Sequence, residues 1–497
     1  MSFKTTLAKP FAKRIASKFY KKSNNAVEVQ QKIFEKLISQ AKNTLFGKDH
    51  NFDKIKSYND FKREIPVRDY EALKPYVEKV VAGESDVLWK GKPLYFAKTS
   101  GTTSGAKYIP LTKESMPTHI SAARNSLLMY IAETNKTSFV DGKMIFLQGS
   151  PELNEKNGVK TGRLSGIAAH YVPQYLIKNR MPSWETNCIE DWETKVEAIV
   201  DETVNENMTL ISGIPSWVQM YFEKLIERTG KKVGDIFPNF NLFVYGGVNF
   251  EPYRNKFEDL IGRKVDTIEL YPASEGFIAY QDSQNEKGMM LLVDNGMFYE
   301  FIPADEFFDE NPTRISLEDV KIGVNYVIIL NTNAGLWGYN IGDTVEFVSI
   351  DPPRIIVTGR IKHFISAFGE HVIGKEVEHA MNENTTKTNI GITEFTVAPH
   401  ITPKDGLPYH EWFIEFENEP ENIEEFAIKL DASMQQQNVY YFDLIDGKVL
   451  QPLKITSIKK GGFNDYMKSI GKLGGQNKVP RLSNDRKIAD ELKQFSV

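Results

Sequence analysis

The sequence predicts an α/β fold: a large N-terminal α/β domain with mixed sheets and a β-rich section, then a smaller, mobile α+β domain. Three observations carry that expectation. Short apolar runs alternate with helix-patterned segments between residues 144 and 281, the stretch from Gly288 to Asp351-Pro352-Pro353 turns β-rich, and the remainder alternates helix, hairpin and helix. At 497 residues the chain is too long for one ordinary core. The Pro pair sets the expected boundary near 350–360, giving domains 1–355 and 356–497.

The elements follow in chain order. MSFKTTLAKPFAKRIASKFYKK carries Lys4, Lys9, Lys13, Arg14, Lys18, Lys21 and Lys22 and no acid, with Phe3, Leu7, Phe11, Ile15 and Phe19 at every fourth position. It reads as a basic first helix packed on the body, with an organelle transit peptide or a membrane-surface helix as alternatives. AVEVQQKIFEKLISQA, from Ala26, has helical spacing. Residues 60–84 look mostly helical but broken at Pro66 and Pro75, and Lys113 to Ala132 reads as helix. MIFLQG (144–149) resembles a buried strand. MTLISGIPSWVQMYFEKLIERTG (208–230) gives strand, turn and helix, with Pro215 suited to a first turn. Residues 241–262 repeat that order, and VDTIELYPASEGFIAYQ (265–281) adds two strands around a loop. In MMLLVDNGMFYEFIP the Asn-Gly pair between apolar runs predicts a hairpin.

Composition excludes several classes. A net charge of -5 gives no general attraction to nucleic acid. The single cysteine, Cys188, rules out an internal disulfide and a cysteine-based zinc site, so a cytoplasmic location is expected. No apolar run approaches the roughly 20 residues that cross a bilayer.

Four loops carry candidate chemistry. AKTSGTTSGAKYIPLT (97–112) concentrates glycines and hydroxyls before Lys107. Such a loop is either a flexible linker or a cradle whose N–H groups, hydroxyls and ammonium surround phosphate. It is not a Walker loop, because residue 106 is Ala where that pattern needs Gly. YGGVNF (245–250) puts two glycines between strand and helix, where a flat ring fits against backbone or where the chain simply turns tightly. YPASEG (271–276) offers an aromatic, a hydroxyl and a carboxylate; Glu275 is either a Mg²⁺ ligand or a solvated acid. GYNIGDTVEF (338–347) ends a glycine-containing turn in Asp343, able to accept two ribose hydroxyls or to serve as an ordinary turn residue.

Their order is more informative than any one of them. TSGTTSGAK, ISGIPSWVQMYFE, YGGVNFEPYR, ELYPASEGFIAYQ, GLWGYNIGDTVEF and the late QNKVPR resemble the auxin-responsive acyl acid amido synthetases, a family with bacterial members within the adenylate-forming superfamily. The likeness runs from about residue 20 to the C-terminus. It implies a ligase: an acid and MgATP give an acyl-adenylate and pyrophosphate, and an amino acid amine then displaces AMP. By motif, Thr99, Ser100, Thr102 and Thr103 would cradle phosphates, with Lys107 assisting pyrophosphate departure. Tyr271 and Gly246-Gly247 would sandwich or border adenine near Ser274. Glu275 would hold Mg²⁺, Asp343 the ribose, and Lys478 would contact the nucleotide phosphate.

The resemblance has gaps. The superfamily hinge pattern G-R-x-D-D-x-I-K appears as GRIKHFIS, with Lys362-His363 for the acidic pair and Ser366 for the lysine. Lys459 and Lys460 compete with Lys478 as the C-terminal lysine. Tyr171, Ile214, Pro215, Trp217 and Val218 lie in segments that line the acyl pocket in similar proteins, and Arg124 is placed to meet a carboxylate; all but Arg124 are equally plain core types. Rival readings are an acyl-CoA ligase with the same first step and a nucleotide-binding protein without turnover.

Overall fold

Tyr95–Ser100 (β1) and Ala106–Leu111 (β2) form an antiparallel hairpin, with Tyr95 opposite Leu111 and Ser100 opposite Ala106. Lys143–Phe146 (β3) begins a larger sheet, whereas Asn154–Lys156 (β4) and Val159–Gly162 (β5) join the hairpin in the order β2-β1-β5-β4. Arg180–Met181 (β6), Met208–Ser212 (β7), Leu242–Gly246 (β8) and Asp266–Ala273 (β9) run parallel to β3, in the order β6-β3-β7-β8-β9. β7 and β8 are buried at all but their last residues, as strands covered on both faces must be. These observations come from a computed structural model, which describes every residue except 1–2, 101–105, 248–249, 362–363, 366–369, 371, 389, 447–448, 475–477 and 484.

At β9 the sheet changes direction. Gly276–Tyr280 (β10) and Met289–Leu291 (β11) pair antiparallel. Met297–Pro303 (β12), Ile315–Ser316 (β13), Asn325–Thr332 (β14), Tyr339–Ile350 (β15) and Pro353–Arg360 (β16) complete twelve strands in the order β13-β12-β14-β15-β16-β11-β10-β9-β8-β7-β3-β6. The α/β class predicted from sequence is therefore present, with parallel and antiparallel halves in one sheet.

The chain divides into two compact units. The first comprises residues 1–248, 260–341 and 345–356. The second comprises 249–259, 342–344 and 357–497. In the second, Phe364–Ile365 (β17) pairs with Val372–Ile373 (β18) ahead of the helix Gly374–Thr388. Ile392–His400 (β19), Tyr409–Phe416 (β20) and Lys454–Ile458 (β21) form a three-stranded sheet, backed by the helix Ile423–Gln437. Phe395 stacks on Trp412 at 5.7 Å in a core shared with Val377, Met381 and Leu430.

Several local readings change in three dimensions. The Asn295-Gly296 turn forms, with Gly296 at φ 73°, but the runs beside it do not pair. β11 joins β10 and β16 while β12 joins β13 and β14, so each run takes neighbours from elsewhere in the chain. The helix Tyr70–Val81 continues through Pro75 instead of breaking. Asp343 lies inside β15 rather than closing a turn, with Gly342 at φ 86° bending the strand beside it. The N-terminus is the helix Phe3–Ser23, packed on the body as the first reading has it. Its buried face is Ala12 and Ala16, and Phe11 points to solvent. Small residues let it lie close to the helix Met116–Thr134, where Leu128, Tyr130 and Ile131 pack with Ala12. Tyr20 then donates to Asp282 Oδ2 at 2.9 Å, and Asp282 is itself paired with buried Arg354.

The second unit also buries acids. Glu370 bonds His410 Nε2 at 2.8 Å, and Tyr441 lies against His410 while donating to Asp431 at 2.6 Å. Glu376 accepts from the Ile373 N–H and from Asn438, yet burial outweighs those bonds and lifts its carboxyl from 4.5 to about 7. Between those two values the folded chain keeps a proton that the unfolded chain has released. Stability therefore falls as pH rises through that window and levels off above it. Glu376→Gln should flatten the slope and add about 1–2 kcal/mol at pH 8, read from urea midpoints between pH 4 and 8. A wild-type midpoint that does not fall across the window would show that this carboxyl titrates normally.

Candidate functional site

The parallel strands deliver their loops to one end of the sheet, the usual place for ligands in such folds. Gly246 closes β8 opposite Leu270 of β9. A Cβ on Gly246 would stand 2.5 Å from the Leu270 carbonyl oxygen, so only glycine permits this register. Gly247 follows at φ 84°, exposed, before the helix Glu251–Ile261. Immediately beyond Leu270 comes Tyr271, 7% exposed and packed with Ile278, Met297 and Phe301.

β9 and β10 then turn through Ser274 and Glu275, both half-buried, with Ala273 opposite Gly276. Gly276 has its own steric reason, since a Cβ there would meet Met297 Sδ at 2.1 Å. The fold thus gathers Gly246, Gly247, Tyr271, Ser274 and Glu275 on two neighbouring strands and their turn.

The strands that flank the hydroxyl-rich loop belong to the other sheet of the same unit. Thr99 is half-buried and lies opposite Lys107, so both side chains share one face of the hairpin. Lys107 sets its ammonium 5.4 Å from the Tyr70 ring centroid. Ser100 ends β1 in the backbone register; Thr102 and Thr103 lie outside the described residues.

Of the acyl-pocket candidates, Ile214 precedes the helix Pro215–Thr229, and Trp217 and Val218 are buried within its first turns. Trp217 packs on Trp192 at 4.5 Å. Tyr171 is on another segment, donating to the Tyr95 hydroxyl at 3.3 Å; burial and that neighbour raise its pKa. Arg124 is exposed on the helix Met116–Thr134 and bonds its neighbour Asn125.

The second unit holds Asp343 and Lys478. Arg360 Nε donates to Asp343 Oδ1 at 2.8 Å, and the Thr358 hydroxyl donates to Thr344 Oγ1 at 2.8 Å beside it. Lys478 as a whole is exposed, but atoms crowding its ammonium lower its pKa to about 8; Asp343 opposes that shift while Arg360 and Arg481 add to it. Arg481 is held by Glu378, Glu394, the Tyr253 hydroxyl and the Phe395 carbonyl. Sequence reasoning missed Arg360 and Arg481, although Arg481 stands three residues after Lys478 in QNKVPR. The hinge residues Lys362, His363 and Ser366 lie outside the described residues, and Lys459 pairs with Asp465 on the surface.

Models of three GH3 family domains match nearly the whole chain: the N-terminal domain over 15–188 and 175–265, the central domain over 290–360 and the C-terminal domain over 375–487. The chain belongs to the GH3 family.

This GH3 protein is 20% identical to a jasmonoyl–L-amino acid synthetase of Nicotiana attenuata, JAR4, over 92% of this chain and 91% of the relative. It is 21% identical to an indole-3-acetic acid-amido synthetase of Arabidopsis thaliana, GH3.10, over 87% of each. Among solved structures, the GH3.15 acyl acid amido synthetase in complex with 2,4-DB superposes with a TM-score of 0.80 at 17% identity, covering 98% of this chain and 96% of that one. The fold is thus that of a GH3 acyl acid amido synthetase.

No group of three or more His, Cys, Asp or Glu among the described residues is arranged to hold a metal. A lone carboxylate such as Glu275 fits Mg²⁺ only beside oxygens from a bound nucleotide, which is how that ion commonly binds. Gly246→Ala in this GH3 protein should push β8 off Leu270 and cost about 1–3 kcal/mol of stability, with nucleotide affinity falling alongside. A variant with wild-type thermal midpoint and ATP affinity would show that the register tolerates a methyl group.

Proposed function

We propose that this GH3 protein is an ATP-dependent acid–amino acid ligase with residues 1–355 as adenylation domain and 356–497 as mobile cap. Family membership over nearly the whole chain carries the reading, and the gathering of Gly246, Gly247, Tyr271, Ser274 and Glu275 supports it. A carboxylate is a poor electrophile, because its charge repels nucleophiles. Its oxygen attacks the α-phosphorus of ATP, a new P–O bond forms, and the bond to pyrophosphate breaks. An amino acid amine then attacks the acyl carbon, forms the amide, loses a proton and releases AMP.

The charge that builds around phosphorus in the first step needs fixed donors and cations. Thr99, Ser100, Thr102 and Thr103 supply hydroxyls and N–H groups there, with Lys107 beside Thr99 near the departing pyrophosphate. Tyr271, nearly buried, and the Gly246-Gly247 turn border adenine, with Ser274 nearby. Asp343, paired with Arg360, receives ribose hydroxyls. Lys478 contacts the α-phosphate, and its lowered pKa keeps its proton exchangeable near neutral pH. Mg²⁺, held by Glu275 and nucleotide oxygens, would neutralise phosphate charge. Ile214, Pro215, Trp217, Val218, Tyr171 and Arg124 form the acyl side. The chemistry needs no nucleic acid and no membrane, and no described helix is long and apolar enough to cross one. We place the reaction in the cytoplasm, where ATP and amino acids are available.

ATP–pyrophosphate exchange over a panel of acids, followed by AMP release with amino acids or CoA, tests the reading. Exchange that turns over only with amino acids supports it; turnover only with CoA replaces it by an acyl-CoA ligase. Glu275→Ala should lower exchange by about 10²-fold or more with every acid. Lys478→Ala should slow adenylation about 10²-fold while ATP affinity changes less than about fivefold. Equal losses in rate and affinity would make Lys478 an anchor only.

A further inference from the structure

Lys195, on the helix Trp192–Thr203, is 2% exposed and has no carboxylate partner among the described residues. Its ammonium donates to the main-chain carbonyls of Asn187 at 2.6 Å and Gln148 at 3.0 Å, leaving one N–H uncommitted. Three further polar groups lie buried on the segments around it. Asn187 is 1% exposed, and neither its Nδ2 nor its Oδ1 is bonded. Trp192 Nε1 and Ser165 Oγ are likewise buried without partners. Leaving such a group unbonded in the interior costs stability, and a buried ammonium without a counter-charge costs more. By contrast, Arg354 is paired with Asp282, and Arg314 with Glu300.

The position of this set gives it meaning. Gln148 follows Leu147, whose Cβ lies 3.0 Å from where a Cβ on Gly213 would stand, just before Ile214. Trp192, one turn before Lys195, packs on Trp217. Trp192 and the strand end leading to Gln148 therefore abut the segment Ile214–Val218, whose assignment to the acyl pocket rests on the ligase reading. Water could satisfy the Asn187 amide but would not balance the charge.

We infer that the acid activated by this protein carries a second carboxylate at its far end, held by the Lys195 ammonium and the Asn187 amide. The donor set is matched to an acceptor-rich anion: an ammonium, an amide N–H, an indole N–H and a hydroxyl face one acceptor, Asn187 Oδ1. Such a pocket discriminates strongly, because a monocarboxylic acid of the same length leaves those donors unpaired.

Desolvation lowers Lys195 to about 8; Cys188 of the helix Trp184–Cys188 pulls it back up and Arg163, before the helix Leu164–Ala169, pushes it further down. Glu152 and Glu185 are the acids acting on Cys188. The charged form therefore prevails below about pH 8 and is lost above it, while both carboxyls of a dicarboxylic acid stay ionised.

The test is calorimetric titration of the full chain with glutarate and valerate, wild type and Lys195→Met, with ATP–pyrophosphate exchange on the same pair. Glutarate should bind at least about tenfold tighter, and Lys195→Met should bring the ratio to about one. In the wild type the ratio should also fall between pH 7 and 9. A wild-type ratio of one or below, or one that is flat over that range, overturns the inference even where the methionine variant does not fold. Exchange with valerate alone keeps the ligase and removes the second carboxylate. Glutarate-selective binding without exchange keeps the anion site and removes the ligase.

Discussion

The contact between Gly246 and the Leu270 carbonyl is the constraint on which the candidate nucleotide site depends. It fixes β8 against β9, and that register decides where β8 stops and where β9 continues. Because β9 runs on past the end of β8, Tyr271 and the Ser274-Glu275 turn stand beside the Gly246-Gly247 turn. A methyl group at Gly246 would meet a backbone atom, which cannot rotate away as a side chain can. The same economy recurs at Gly276, where the missing side chain makes room for Met297.

Charge is handled by two different rules in this molecule. Three arginines of low exposure are matched by acids: Arg354 by Asp282, Arg314 by Glu300, and Arg481 by Glu378 and Glu394. Such pairs add modest stability at best, but removing one member leaves a buried charge uncompensated. Lys195 breaks the rule, with carbonyl dipoles in place of a carboxylate.

Arg481 connects the second unit's frame to its candidate site residues. Its guanidinium spans β19, the helix Gly374–Thr388 and Tyr253, and it lies 4.6 Å from the Phe395 ring. With Arg481 fixed, the chain three residues upstream carries Lys478 into the company of Asp343 and Arg360. Two arginines near one lysine favour its neutral form, whereas the single acid favours the charged form. A nucleotide phosphate arriving there would add to the acid's side of that balance.

The sequence by itself determined the α/β class, because apolar runs separated by helical spacing leave few other ways to bury both faces of a sheet. It also determined the motif loops and their order, since glycine at a strand end and hydroxyls in a hairpin are local choices. The helix from Ala26 to Ala41 could be read from its spacing alone. Pairing could not be read. Asn295-Gly296 makes the turn that its residues favour, but competition among twelve strands sent β11 and β12 to different neighbours. Which face of the first helix is buried was also undecided, because close approach to the helix Met116–Thr134 selects Ala12 and Ala16 over larger Phe11. The environments of Lys195, Arg360 and Arg481 were invisible for the same reason. Their partners lie far off in sequence, and the cost or gain of a charge depends on what folding places around it.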